Sequence, residues 1–329
     1  MTEPLDVLGI GNAIVDVLAH ADEAFLAEHD LPKGVMTLID AERADLLYAR
    51  MGPGVEVSGG SCANTVAGAA TLGSRVAYVG KVRDDDLGRI FAHDIRAAGV
   101  AFDTPPADDG PGTARCLILV TGDAQRTMCT YLGASAELGP EDVDTALAAR
   151  AAVTYLEGYL WDPPRAKDAF RVAMAAAKGA DRRVALTLSD PFCVERHRDE
   201  FRQLVDGDVD VLFANERELT ALYETPSLET AVAAVRGRCE IAVVTRSERG
   251  SVVVTDGELH EVPAARVDRV VDTTGAGDLY AAGFLHGLTR GLPLPDCARL
   301  GGVAAAEVIS HFGARPEADL GALARAALS

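Results

Sequence analysis

Apolar and polar positions divide the chain into short buried runs separated by longer helical repeats. The runs "LDVLGIGN" (5–12), "RVAYVGKV" (75–82), "AAVTYLEGYL" (151–160), "RVALTLSD" (183–190), "VDVLFAN" (209–215) and "IAVVTRS" (241–247) are rich in aliphatic residues. Their length and flanking turn residues predict buried strands. Ala-rich helical segments lie between them. "LGRIFAHDIRAAG" (87–99) is one, and "GGSCANTVAGAATLG" (59–73) opens on glycines and continues as a small-residue helix. Strands alternating with helices predict the α/β class, with a mostly parallel sheet between two helical layers. Two regions break the rhythm. Residues 13–40 hold "IVDVLAH" and "VMTLID", and 101–132 hold "AFDTPP" and "TARCLILVTGDAQRTMCTYL", joined by Pro, Gly and Asp. They read as antiparallel hairpins of a small β-sheet lid. The expected division is a large α/β domain over 1–12, 41–100 and 133–329, with 13–40 and 101–132 forming the lid.

Charge narrows the partners. The net charge is −19 over 329 residues, without a block of five or more like charges. A nucleic-acid binder would need a basic stripe, so that class is set aside. An anionic ligand must be held locally, by backbone N–H groups, a few basic side chains or a metal. The opening "MTEPLDVLGIGN" lacks the regions of a signal peptide, and no stretch approaches the ~20 apolar residues of a membrane span. Six scattered cysteines form no C-x-x-C pair, which fits reduced thiols and a cytoplasmic protein, with Cys62 a small packing residue.

Familiar phosphate motifs are missing. No G-x-x-x-x-G-K-[ST] occurs, and Ile14 stands where a dinucleotide fingerprint after Gly9 and Gly11 needs its third glycine. "HRDE" (197–200) imitates a kinase catalytic loop, but Leu204 replaces the required Asn and no D-F-G follows.

Five local patterns remain. Before "DTTGAGD" (272–278) two valines read as a strand end, and Ala281, Leu285 and Leu288 follow it at helical spacing. Gly275, Ala276 and Gly277 would then sit at a helix N-terminus, whose free N–H groups suit an anion. The plain alternative is a turn capped by Asp278 or Thr274. In "GGSCAN", Gly59 and Gly60 permit close approach of a ligand, and Asn64 offers a donor and an acceptor near a helix start. Asn12 and Asp16 follow the first strand, where open α/β sheets bind ligands. Asn215 and Glu218 share a helix face and could hold a water-shelled Mg²⁺, or simply cap the helix. "TRSERG" (245–250) is a polar turn between apolar strands.

Together these patterns resemble the PfkB (ribokinase-like) family of carbohydrate and nucleoside kinases. The resemblance spans nearly the whole chain. "DTTGAGD" matches the family's C-terminal signature. Gly59, Gly60, Asn64, Ala69 and Gly73 match its N-terminal one, and "NERE" its N-x-x-E motif. Gly11, Asn12 and Asp16, with "YLEGYL" (155–160) and "LTLSDPF" (186–192), look most like the adenosine-kinase group. Ser247 departs from the family's usual glycine in its T-x-G-x-x-G phosphate turn.

The resemblance implies a ribokinase-like three-layer α/β/α fold and a kinase that uses ATP and Mg²⁺, with a monovalent cation such as K⁺ near the loop before Gly275. Asp278 would accept the proton of a nucleoside 5′-hydroxyl, most naturally adenosine's, while the N–H groups of Gly275, Ala276 and Gly277 hold the phosphoryl oxygens. Asn12, Asp16, Gly59, Gly60, Ser61 and Asn64 would bind the substrate, with Tyr159 and Phe192 as walls for the base. Tyr159 reads equally as a core residue. Asn215, Glu218, Thr245, Ser247, Gly250 and Thr274 would serve ATP. Arg126 is either a phosphate partner or a solvated hairpin side chain. The alternatives are a ribokinase-, fructokinase- or 2-keto-3-deoxygluconate-kinase-type sugar kinase, or a non-catalytic nucleoside- or sugar-binding regulator. A monomer and a lid-mediated homodimer are both compatible with the sequence.

Overall fold

A computed structural model describes residues 4–123 and 125–329. In chain order the strands are β1 (Leu5–Ile10), β2 (Ile14–His20), β3 (Met36–Leu38), β4 (Val55–Gly59), β5 (Val76–Val79), β6 (Ala101–Phe102), β7 (Ala114–Val120), β8 (Arg126–Tyr131), β9 (Ala151–Glu157), β10 (Arg183–Thr187), β11 (Val211–Asn215), β12 (Ile241–Thr245), β13 (Ser251–Val254) and β14 (Leu259–Val262). Among the described residues they form two sheets. The larger has the order β14-β13-β12-β11-β10-β9-β1-β5-β6 and is parallel except for β13 and β14.

Alternate residues of its strands feed two cores. Val7, Val153, Ala185 and Val243 pack with Leu279, Phe284 and Leu285 of the helix Ala276–Thr289. Leu8, Leu156, Val184 and Leu212 pack on the opposite face with Trp161, Phe170 and Phe201. The result is the three-layer α/β/α arrangement of the ribokinase-like fold, with a second, small sheet. Aliphatic strands covered on both faces are what a parallel sheet requires. Among the described residues, no helix is long and apolar enough to cross a membrane.

The small sheet has the order β3-β8-β7-β2-β4 and corrects the expected pairing. Residues 13–40 are not a hairpin. The helix Glu23–Glu28 separates β2 from β3, and β3 instead pairs in parallel with β8. Strand β2 pairs in parallel with β7 and antiparallel with β4, so 55–59 belong to this sheet rather than with the large one. Only β7 and β8 make the hairpin expected for 101–132, while β6 joins the large sheet beside β5.

Register gives the small sheet two unlike faces. On one, Val15, Val17, Leu117, Leu119 and Cys129 are buried in the same core as Leu26 and Leu47 of the flanking helices. The other carries Asp16 and Leu18 of β2, Val55 and Val57 of β4, Ile118 and Val120 of β7, and Arg126 and Met128 of β8. This second face looks onto the site.

A further expectation fails before Asp272. Val270 and Val271 are not a strand end, because β14 stops at Val262 and irregular chain follows. Their segment is tied down by the end of another helix: the N–H groups of Val271 and Asp272 donate to the Ile309 carbonyl at 2.8 and 3.3 Å.

Candidate active site

The helix Ala276–Thr289 begins at Gly275, whose φ of 78° lies in the left-handed region, and no side chain caps it. Gly275 is required twice over, since a Cβ there would also stand 2.8 Å from the Ala314 methyl. The capping alternative therefore fails for both candidates. Thr274 instead accepts a bond from Arg126 Nη1 at 2.8 Å, and Asp278 turns to other partners. Of the first-turn donors, Ala276 N–H reaches the Thr273 carbonyl at 3.3 Å. A Cβ built on Gly277 would meet nothing within 4 Å, so this face of the turn is open.

Asp278 is half-buried and tethered to the second glycine motif. Ser61 Oγ donates to its Oδ1 at 2.7 Å and Asn64 Nδ2 to its Oδ2 at 3.0 Å. Both partners lie on the helix Ser61–Thr71, which starts after Gly60 at a φ of 94°. Burial raises the Asp278 pKa, and the Ser61 and Asn64 bonds and the Arg315 charge oppose it. The positive end of the helix alone does not decide its ionisation. Asn64 is almost fully buried, and its Oδ1 has no hydrogen-bond partner. An orphaned acceptor in such a place calls for a donor from a ligand.

Asp16 faces the same space. A Cβ on Gly59 would collide with its carboxylate, so the glycine sets how deeply the acid seats. Burial pushes the Asp16 pKa to about 7, Asp278 adds to the rise, and Arg315 and Arg126 oppose it. Gly60 lies against the Asn12 carbonyl in the same tight way.

Asn12 is used differently from the expectation. It is 3% exposed, its Nδ2 donates to Glu157 Oε1 at 2.7 Å, and its Oδ1 accepts from Ser135 Oγ at 2.9 Å. Glu157 also accepts from Cys62 N–H at 2.9 Å. The residue thus pins the first loop to the start of the helix Ser61–Thr71 rather than facing the cavity. Burial raises the Glu157 pKa to about 7 against these bonds. Glu157 was missed in the sequence, although a lone carboxylate closing an apolar strand is a usable signal.

A cavity of about 450 Å³ lies between the small sheet and the loops of the large domain. Asp16, His20, Ser58, Asn64, Arg126, Thr274, Arg315 and Glu317 supply its polar lining. Its remaining walls are largely aliphatic, from Leu18, Val55, Val57, Ile118 and Val120, with Phe312 opposite. Tyr159 and Phe192, expected as walls, do not line it. Tyr159 is bonded through its N–H and O–H to Ser189, and Phe192 is 71% exposed near the start of the helix Pro191–Gly207. Arg126 is no solvated side chain: it is ion-paired with Asp272, bonded to Thr274, and stacked 5.1 Å over the Phe312 ring. Asp272 in turn accepts from the N–H groups of Thr274 and Gly313, both at 3.0 Å.

Residues 36–319 match the pfkB family carbohydrate kinase. The chain belongs to this family. Among solved structures it resembles an adenosine kinase from Sinorhizobium meliloti, at 56% identity and a TM-score of 0.92 over 99% of this chain and 100% of that one. It also resembles a probable sugar kinase from Rhizobium etli, at 51% identity and a TM-score of 0.93 over 99% of both chains. The adenosine kinase of Saccharomyces cerevisiae is 30% identical over 95% of this chain and 96% of its own. This PfkB-family chain is thus an adenosine-kinase-like phosphotransferase with an alcohol group as acceptor, and kinases of the family use ATP, typically with Mg²⁺.

Of the residues expected to serve ATP, Asn215 and Glu218, Thr245, Ser247 and Gly250 follow neighbouring strand ends, where Asn215 of β11 pairs with Thr245 of β12, while Thr274 lies apart, at the cavity. Asn215 caps the helix Glu216–Leu222 in a closed capping box. Asn215 N–H and Nδ2 donate to the two Glu218 oxygens at 2.9 and 2.5 Å, and Glu218 N–H returns a bond to Asn215 Oδ1 at 2.9 Å. Glu218 is 5% exposed, and burial raises its pKa to about 7. Direct ligation of a divalent cation does not fit this carboxylate. Among the described residues, no group of three or more His, Cys, Asp or Glu could enclose one.

The turn after Thr245 keeps a glycine-like backbone without the glycine. Ser247 adopts a φ of 52° and Gly250 one of 80°. A left-handed non-glycine residue costs about 1 kcal/mol. Ser247→Gly relieves that strain but frees the unfolded chain by roughly 0.4–1 kcal/mol, so a gain of at most about 0.5 kcal/mol is expected in denaturant unfolding. A lowered midpoint would assign the Ser247 hydroxyl a necessary bond.

Proposed function

We propose that this kinase transfers the γ-phosphoryl group of ATP to the 5′-hydroxyl of a nucleoside, with adenosine the preferred acceptor. The observation that carries this reading is the two-part character of the cavity. Its polar part holds Asp16 and the unpartnered Asn64 Oδ1, whose amide nitrogen leads on to Asp278, and much of the rest is aliphatic. A nucleoside has the same division, with ribose hydroxyls at one end and a planar, weakly polar ring at the other. A free sugar would press hydroxyls against Leu18, Val55 and Ile118, whose side chains offer them no hydrogen bond.

On this reading Asp16 and Asn64 hold the ribose hydroxyls, and Asp278 accepts the proton of the attacking hydroxyl. The N–H groups of Gly275 and Gly277 stabilise the transferring phosphoryl, whose loose transition state needs mainly positioning and charge balance. Arg126 stands beside that turn and exchanges Asp272 for the phosphate when ATP binds. Mg²⁺ would be held mainly by the ATP phosphates, with Glu218 and Asn215 meeting it through water, and would supply charge neutralisation there. The small sheet acts as a lid that excludes competing water. A sugar acceptor is the second reading, favoured by the likeness to the Rhizobium etli protein. Parallel assays of adenosine, ribose, fructose and 2-keto-3-deoxygluconate decide between them. Adenosine is expected to lead in kcat/KM, and a sugar preference above about tenfold, some 1.4 kcal/mol of transition-state binding, would overturn the nucleoside reading.

A further inference from the structure

Arg315 lies in the loop after the helix Leu294–Val308, outside every motif seen in the sequence. Its guanidinium is held by four bonds. Nε and Nη2 donate to the Ser58 carbonyl at 3.2 and 2.7 Å, Nη2 to Ser58 Oγ at 2.8 Å, and Nη1 to the Ala63 carbonyl at 2.8 Å. Ser58 is fixed in turn by Asp94, which accepts from its N–H and Oγ at 2.8 and 2.5 Å. Strand β4, the helix Ser61–Thr71 and the helix Asp86–Ala97 therefore hold one cation in a set orientation. Ser58 precedes Gly59, which abuts Asp16, and Ala63 precedes Asn64, which binds Asp278. Arg315 also lines the cavity together with Asp16 and Asn64.

We propose that Arg315 is a positioning residue for phosphoryl transfer, a fixed cation that keeps Asp278 unprotonated beside Asp16. This rests on Asp278 being the proton acceptor. Burial penalises the charged form of both acids, and the charge of Asp278 adds to the rise at Asp16. At Asp278 the Ser61 and Asn64 bonds oppose that penalty most, and Arg315 adds the positive charge that does so. Ser61, Asn64 and Cys62 approach from the helix Ser61–Thr71, and Tyr155 and Glu157 from β9, with Tyr159 beyond them. Arg126 of β8 faces Asp16 but is already paired with Asp272. Arg315 lowers the pKa of both acids; burial lowers its own, and Asp94, Asp16, Asp278 and Tyr78 oppose that and favour its charge. Unlike a lysine, a guanidinium does not lose its proton when buried.

The test is the pH profile of kcat/KM for the wild type, Arg315→Gln and Arg315→Lys, with circular dichroism checking that each folds. The acceptor used is whichever alcohol the wild type phosphorylates best, so a failure of the nucleoside reading leaves this test intact. Because the acid must be ionised to accept a proton, losing Arg315 should shift activity toward higher pH. The acid limb of Arg315→Gln is expected to move up by about one pH unit, making its loss at about pH 6 some tenfold greater than at about pH 8.5. Arg315→Lys should restore the limb. Asp16→Asn, which removes the opposing charge, should move it down, and it keeps the test open if Arg315→Gln does not fold. A uniform loss with an unmoved limb in Arg315→Gln, or no shift in Asp16→Asn, overturns the proposal.

Discussion

Asp278→Asn is expected to bind nucleoside normally and to lose about 10³-fold in kcat. The change is nearly isosteric, so Ser61 and Asn64 keep a polar partner on the helix Ala276–Thr289. What disappears is the ability to take a proton from the attacking hydroxyl. Calorimetric titration with adenosine should give a Kd close to the wild-type value, while steady-state turnover falls and its acid limb flattens. The limb is expected in the wild type because burial raises the Asp278 pKa, so the base is lost to protonation as pH falls. Near-normal turnover of the variant would remove Asp278 from its proposed role.

The second large effect separates stability from activity. Gly277 sits in the first turn of its helix with open space where a Cβ would go. Gly277→Ala should therefore fold well and gain roughly 0.5–1 kcal/mol of stability, the usual preference of a helix for Ala over Gly. The added methyl would stand in the opening toward which the phosphoryl group is proposed to approach. A loss of about 10²–10³-fold in kcat/KM is expected, as when an oxyanion donor is removed. Thermal unfolding and ATP-dependent turnover on the same samples check both halves. An active, stabilised variant would show that the turn does not receive the phosphoryl group. Gly275→Ala could not make this distinction, because its backbone and its contact with Ala314 make it a folding defect first.

The residues that could be read from sequence are those whose chemistry is written locally. Asp278 stands directly after the glycine turn, and Gly59 and Gly60 precede the helix that carries Asn64. The strands of the large sheet were equally plain, since burial on both faces leaves continuous apolar runs. Strand β4 was hidden because "VEVSG" is short, half-exposed and runs into the glycine motif. Val270 and Val271 misled for the opposite reason: they look like a strand, yet the backbone of Val271 and Asp272 is tied to the end of a distant helix. The long-range partners were hardest to see. Arg315 meets Ala63 across 252 residues, and Asn12 meets Glu157 across 145, distances over which no periodicity carries a signal. Tyr159 and Phe192 were expected at the base by resemblance, and the aliphatic face of the small sheet lines the cavity instead. That face becomes visible only when register is known, because a one-residue slip would turn Asp16 and Leu18 away from the site.

The central claim is that the acceptor is a nucleoside 5′-hydroxyl. Its most direct test is a single competition reaction, in which adenosine and ribose at equal concentration share limiting ATP and the products are identified by mass spectrometry and ³¹P NMR. Adenosine 5′-monophosphate is expected as the dominant phosphorylated product, in step with ADP formation. Dominant ribose phosphate, or an adenosine phosphate carried on another hydroxyl, would contradict it.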